Sequence, residues 1–275
     1  MTIVVTGATG HFGRIAIESL LSGGVPAADI VATGRSIDKI ADLGVATRRA
    51  DYGDPAALRA AFEGADKLLF VSGNEVGQRI PQHRDVVAAA KDTGVGFVAY
   101  TSIPRADTNT MILAAEHIAT ERMLIESGLP YAFLRNSWYL ENYDLAAAVE
   151  HGLFGAAGDG RISGAPRADY AAAAAAAIVR AEAGRIYELG GHAFTLTDLA
   201  AVLAEKSGRD VTYTDLPEEK YTEFLVGVGL PEAAARIYAD ADRGAANGEL
   251  YVPVDDMESL LGRPVTALAD AITLG

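Results

Sequence analysis

The 275-residue sequence contains no cysteine. Disulfides, thiolate nucleophiles and cysteine-ligated zinc are excluded together, and a reducing compartment agrees with this. Basic residues are few: 23 Lys and Arg stand against 37 Asp and Glu, for a formal net charge of −14. With no long basic run, such a surface repels phosphate backbones, so DNA or RNA binding is disfavoured. Half of the chain is hydrophobic, yet no segment approaches the roughly 18 uncharged apolar residues of a membrane span. The N-terminus runs straight into an apolar strand without a basic leader or cleavage site, so a cytoplasmic location is expected. The five histidines, His11, His83, His117, His151 and His192, show no paired metal spacing. His117 and Glu121 stand four apart on an expected helix, where a surface hydrogen bond is a better expectation than a metal site with two ligands.

The informative stretch is Thr2 to Leu21, TIVVTGATGHFGRIAIESLL. Gly7, Gly10 and Gly13 are three apart. One suits a tight turn, one a close approach of backbone to a pyrophosphate, and one close packing of helix on strand. The same glycines also suit a plain tight turn in any α/β domain. The setting favours the dinucleotide reading: Ile3, Val4 and Val5 form a buried-type strand just before, and Phe12, Ile15, Ala16 and Leu20 mark a helix face just after. The helix end then offers N–H groups and a positive dipole to a phosphate.

Ile30 to Thr33 reads as a second strand ending at Gly34 and Arg35. At this position an acid suits a free ribose 2′-hydroxyl and an arginine a 2′-phosphate. Arg35, with no acid until Asp38, therefore points to NADP(H). Val45 to Arg49 is a third strand. Asp51 fits either an adenine-facing position or turn chemistry, and Asp54 with Pro55 makes a helix start. Lys67 to Ser72 is a fourth strand, and Ser72, Gly73 and Asn74 follow where such sheets bind ligands. A helix over Arg79 to Thr93 closes at Gly94, and Phe97 to Thr101 is a fifth strand.

The next helix spans about Ile112 to Glu126 and stops at Gly128. Leu129 to Leu134 supplies a sixth strand, followed by Asn136, Ser137, Trp138, Tyr139, Leu140, Glu141 and Asn142. Amides beside flat rings suit a nicotinamide and a planar substrate, and the only tryptophan equally suits a core position. The alternation predicts a doubly wound parallel sheet over residues 1–150. Residues 151–275 read as a smaller, mostly helical lobe whose strands return to the main sheet. In it, Gly152 to Gly164 is loop-like, Asp169 caps a buried alanine-rich helix and brings Arg167 to the cleft rim, Ile186 to Leu189 and Val211 to Asp215 are strands, and helices cover Thr197 to Ser207, Glu218 to Gly227, Pro231 to Asp242 and Asp255 to Leu261.

Val5-Thr6-Gly7-Ala8-Thr9-Gly10-His11-Phe12-Gly13 resembles the fingerprint of atypical short-chain dehydrogenases of the NmrA-like group. Ala50 to Asp54, Glu75-Val76-Gly77-Gln78-Arg79, Gln82-His83-Arg84, Tyr100-Thr101-Ser102, Leu134-Arg135-Asn136 with Trp138-Tyr139 and Glu141-Asn142, Gly155 to Gly160, and Arg167 to Ala171 are similar to bacterial NADPH-dependent type 2 quinone oxidoreductases. The resemblance implies a Rossmann domain and NADPH held along Gly7, Ala8, Thr9, Gly10, His11 and Phe12, Arg35, Ser72 to Asn74, and Asn136 to Glu141, with Arg167 closing on it. It also implies a quinone substrate and, at family level only, a homodimer; the sequence shows no coiled coil or interface stripe.

One more absence completes the reading. Short-chain dehydrogenases generally carry a tyrosine and, four residues later, a lysine on the helix after the fifth strand, and Ile112 to Glu126 contains neither. Carbonyl reduction needs a proton donor, whereas a quinone accepts hydride to give a delocalised phenolate, so proximity becomes the main catalytic demand. No catalytic acid or base is assigned; Asn74, His117 and Tyr139 are the pocket candidates. A cofactor-binding redox sensor that regulates a protein partner would also retain the glycines and lack the pair. An enzyme acting on another conjugated acceptor is the third reading.

Overall fold

A computed structural model describes residues 1–274. In chain order the elements are β1 (Ile3–Val5), α1 (His11–Ser22), β2 (Ile30–Gly34), β3 (Ala46–Arg49), α2 (Pro55–Phe62), β4 (Lys67–Phe70), α3 (Arg79–Asp92), β5 (Phe97–Ser102), α4 (Ile112–Ser127), β6 (Tyr131–Asn136), α5 (Leu145–His151), β7 (Leu153–Gly155), α6 (Arg167–Arg180), β8 (Arg185–Leu189), α7 (Leu196–Ser207), β9 (Tyr213–Asp215), α8 (Glu218–Gly227), α9 (Glu232–Ala246), α10 (Asp255–Leu261) and α11 (Leu268–Ala271). Among the described residues no helix is long and apolar enough to cross a membrane.

Seven strands form one parallel sheet in the order β3-β2-β1-β4-β5-β6-β8. The chain first steps outward from β1 to β3, then returns to β4 and proceeds the other way. The order therefore reverses between β1 and β4, which opens a crevice at their carboxyl ends. Strands such as Ile3–Val5 and Phe97–Ser102 are buried throughout, as a sheet covered on both faces requires. One face carries α1, α6 and α10 over Ile3, Val5, Ala99 and Leu134; the other carries α2, α3 and α4 over Val4, Leu68, Phe70 and Val98. The alanine run of α6 is buried at Ala171, Ala173, Ala174, Ala175 and Ala177, and these small side chains let α6 lie close to α1.

Local signals set several boundaries. The Asp54 carboxylate accepts from the N–H groups of Ala56 and Ala57 with Pro55 in the first turn, and Thr195 and Asp198 form a reciprocal capping box at α7. Gly128 and Gly208 end α4 and α7 in the left-handed conformation. The start of α6 departs from expectation. Pro166 precedes it, and Asp169 is a buried first-turn residue whose carboxylate accepts from Arg263 Nη2 at 2.6 Å and the Thr266 N–H at 2.8 Å. It ties the C-terminal segment to the helix instead of capping it.

Beyond residue 150 the chain divides. β8 and α6 join the main sheet, and α10 packs over them, whereas α5, α7, β7, β9 and α9 surround a second core containing Trp138, Leu153, Phe194, Leu199 and Ala245. The loop-like stretch Gly152 to Gly164 hides β7, which pairs in parallel with β9. Asp242 of α9 is buried in this lobe and accepts the Ala156 N–H at 2.8 Å. Burial pushes its carboxyl up to about 7, with the Ala156 bond working against the shift and Asp215 adding to it.

Candidate functional site

A cavity of about 500 Å³ occupies the crevice where the strand order reverses. Its wall is built from the turn after β1, the end of β2 through Ser36, and Val71 to Glu75 after β4, with Lys39, Tyr52, Gln82 and Arg167 at the rim. Gly7 has φ +60°, and its carbonyl accepts the Gly10 N–H at 2.9 Å. A Cβ on Gly13 would lie 2.5 Å from the Gly7 oxygen and 2.8 Å from Ala8 Cα, so turn and helix meet backbone to backbone. α1 starts from Gly10 without a side-chain cap. Its first-turn N–H groups thus have no side-chain acceptor competing with an anion. Thr9, Gly10, His11 and Phe12 line the cavity, while Ala8 is buried beneath them.

Arg35 lines the same cavity. Its Nη1 donates to Glu75 Oε1 at 2.7 Å, and its Nε lies 4.0 Å from Asp51 Oδ2. Ser72, Gly73 and Asn74 form the side wall, and their loop is pinned from below. The Gly73 N–H donates to His83 Nε2 at 3.0 Å, His83 Nδ1–H donates to Thr120 Oγ1 at 2.8 Å, and the Thr120 hydroxyl donates to the Glu116 carbonyl at 2.8 Å. This chain of donors requires the neutral imidazole. Burial, and then the Arg79 charge, push His83 down to about 3. Arg79 Nε donates to the Gly73 carbonyl at 2.5 Å, and the Gly77 N–H donates to Glu116 Oε1 at 2.9 Å. Tyr52 Oη donates to the Val71 carbonyl at 2.5 Å and lies 2.6 Å from Thr6 Oγ1.

The segment after β6 splits by alternate residues. Tyr139 lies 6.2 Å from the Phe12 ring, centroid to centroid, and the Arg167 guanidinium sits 5.2 Å over the Tyr139 ring. Asn136 donates to Tyr139 Oη at 3.0 Å, and its buried Oδ1 has no partner. Both Glu141 oxygens accept the Arg167 N–H, at 2.9 and 3.0 Å. Tyr139 thereby stands against α1 with Asn136, Glu141 and Arg167 linked to it or to one another, and of these four only Arg167 lines the cavity. Ser137, Trp138 and Leu140 turn away from this group. Ser137 Oγ donates to the Leu250 carbonyl at 2.8 Å, Trp138 meets Tyr238 edge to face, and Leu140 is buried in the second core. The core reading of the tryptophan is the one the packing shows.

His117 is buried below the loop, outside the cavity wall. Its Nδ1 is 2.8 Å from Tyr100 Oη and its Nε2 is 3.5 Å from Arg79 Nη1; burial, then the Arg79 charge, hold it well below the usual histidine range. The expected surface hydrogen bond to Glu121 is replaced by two separate buried roles. Glu121 accepts from Ser102 Oγ at 2.6 Å and from Arg135 Nε and Nη2 at 3.0 and 2.7 Å. Arg135 also bonds Asp107 with both terminal nitrogens, at 2.8 and 3.0 Å, and Glu188 at 3.0 Å.

Tyr52, Glu75, Gln82 and Arg79 have no assigned role from sequence, although each falls in a stretch quoted for the resemblance. Lys39 carries no sequence signal; a 3₁₀ turn after β2 brings it to the rim.

A sequence model of the NmrA-like family matches residues 1–246. Quinone oxidoreductase 2 of Escherichia coli (strain K12) is 51% identical over 279 residues, covering 98% of this chain and 97% of that protein. The crystal structure of the E. coli NADPH-dependent quinone oxidoreductase complexed with NADPH superposes with a TM-score of 0.94 over 98% of this chain and 97% of that one, at 51% identity. Citrobacter sp. triphenylmethane reductase complexed with NADP(H) has a TM-score of 0.89 at 36% identity, covering 98% of each chain.

Proposed function

This chain belongs to the NmrA-like family, and on that premise we propose that it is an oxidoreductase that reduces quinones with NADPH by direct hydride transfer. The supporting observation is the cavity itself: an uncapped helix end and Arg35 line one crevice, at the reversal point of a parallel sheet. The residues fit the cofactor. The Gly13 approach leaves no room for a Cβ, so the helix N–H groups begin directly at the glycine turn, and the orphan buried Oδ1 of Asn136 is an acceptor of the kind a carboxamide N–H would satisfy. Gly7 to Phe12 hold the pyrophosphate, Arg35 pairs with the 2′-phosphate, and Ser72 to Asn74, Asn136, Tyr139, Glu141 and Arg167 flank the nicotinamide half. Ser137, Trp138 and Leu140 support this segment from the core.

The chemistry supplied on binding is a hydride from the reduced nicotinamide. The chain's own part is positional. His83 and Arg79 fix Gly73 and so aim Asn74, while Tyr139, clamped between Phe12, Arg167 and Asn136, sets a flat wall. α4 supplies no tyrosine or lysine, and the quinone product needs none, because a delocalised phenolate takes its proton from water. The cytoplasmic location and the homodimer belong to the same proposal; light scattering of the purified chain measures the latter.

Purified chain, NADPH and benzoquinone without added flavin test the activity. Loss of nicotinamide absorbance well above the uncatalysed rate is expected, and a rate equal to the control would refute it. A panel with azo compounds and triphenylmethane dyes defines the acceptor class.

A further inference from the structure

Arg35, on the reading above the partner of the cofactor's 2′-phosphate, already holds an anion of the chain's own. Glu75 Oε1 accepts from it at 2.7 Å, and Glu75 lines the same cavity. An incoming phosphate must therefore exchange with a carboxylate. The exchange is feasible, because both side chains are open to solvent, at 60% and 43% exposure. Glu75 also has somewhere to go: its Oε2 accepts from Gln82 Nε2 at 2.9 Å, so it keeps a hydrogen bond when Arg35 leaves it. Asp51 is the second acid near the guanidinium, at 4.0 Å.

We propose that Glu75 is a built-in competitor for the 2′-phosphate and sets how strongly the chain prefers the phosphorylated cofactor. This rests on the assignment of Arg35 made above. A phosphate with charge near −2 and a fork of oxygens outcompetes one exposed carboxylate at a guanidinium. It does so at a discount equal to the lost Arg35–Glu75 pair plus the repulsion of a like charge left nearby. A ligand without the 2′-phosphate leaves the pair intact, so Glu75 does not affect it. Glu75→Gln removes the charge and keeps an amide oxygen for Arg35, while its NH2 faces Gln82, whose amide can turn to accept from it.

Adenosine 2′,5′-bisphosphate and adenosine 5′-monophosphate differ only at this site, so calorimetric titration with both isolates it without any turnover. Wild type is expected to prefer the bisphosphate. Glu75→Gln is expected to bind the bisphosphate about three- to tenfold tighter, the reach of an exposed charge pair plus a neighbouring like charge, with the monophosphate unchanged. Arg35→Gln should abolish the preference, and adding Glu75→Gln to it should gain clearly less than in the wild-type background, because only the like-charge repulsion is then left to remove. Unchanged or weaker bisphosphate binding in Glu75→Gln, with the wild-type preference intact and lost in Arg35→Gln, overturns the competitor role. An equal gain for both ligands overturns it too, as a general charge effect. No preference in wild type overturns the Arg35 assignment itself, and the proposal with it.

Discussion

Replacing Asp242 by asparagine changes how stability varies with pH. In the folded chain the Asp242 carboxyl is pushed up to about 7 by burial, from an ordinary value of 3.8. Between those values the unfolded chain has released this proton while the folded chain keeps it, so stability falls as pH rises through the window, and the loss is complete above about 7. A difference of about three pKa units corresponds to a ceiling of about 4 kcal/mol. Asparagine stays neutral throughout, and its side-chain oxygen still accepts the Ala156 N–H that Asp242 now holds at 2.8 Å. Urea unfolding of both proteins from pH 4 to 8 is the assay, and their difference at each pH cancels every other titrating group. The two should be nearly equal at pH 4, and the variant should gain progressively until the gap levels off above pH 7. Parallel profiles would refute the burial argument, as would a variant that loses ground with rising pH.

Three further outcomes follow from the geometry. Gly13→Ala sets a Cβ against the Gly7 oxygen at 2.5 Å, so NADPH titration should show lost binding and urea unfolding a cost of about 1–3 kcal/mol. Arg135→Met leaves Glu121 and Glu188 without their cation, and the same unfolding assay should register a loss of about 3–5 kcal/mol. His83→Phe orphans the Gly73 N–H. Stability should drop by about 1–3 kcal/mol, and kcat for the quinone should fall more than NADPH affinity does, because the loop carrying Asn74 loses its anchor.

The sheet was readable because its signals are local. Asp54 with Pro55, Thr195 with Asp198, and Gly128 each mark a boundary within a few residues of themselves. The sixth strand lies two residues later than expected, at Tyr131–Asn136, because Gly128 to Pro130 are used in leaving α4. α9 runs on past Asp242 to Ala246, and Gly244 within that extension packs where a Cβ would fall 2.5 Å from the Met111 side chain. β7 was hidden because its partner β9 lies about sixty residues away in the chain, and three residues carry no periodicity. At the site, the glycines and Arg35 announce themselves by type and spacing. The split of Asn136, Tyr139 and Glu141 from Ser137, Trp138 and Leu140 depends on a second core that assembles from residues as distant as Tyr238 and Leu250.

Arg135 joins parts of the molecule that the topology keeps apart. Asp107 comes from the connection between β5 and α4, Glu121 from α4 and Glu188 from the edge strand β8, and Glu188 also accepts the Arg105 N–H at 2.9 Å. One cation thus serves as a rivet through three plates. The connection between β5 and α4 cannot fray alone without stranding charge at the edge of the sheet. Amide hydrogens from Arg105 to Asn109 should therefore exchange in step with those of β8, as one cooperative unit, although some eighty residues separate them in the chain.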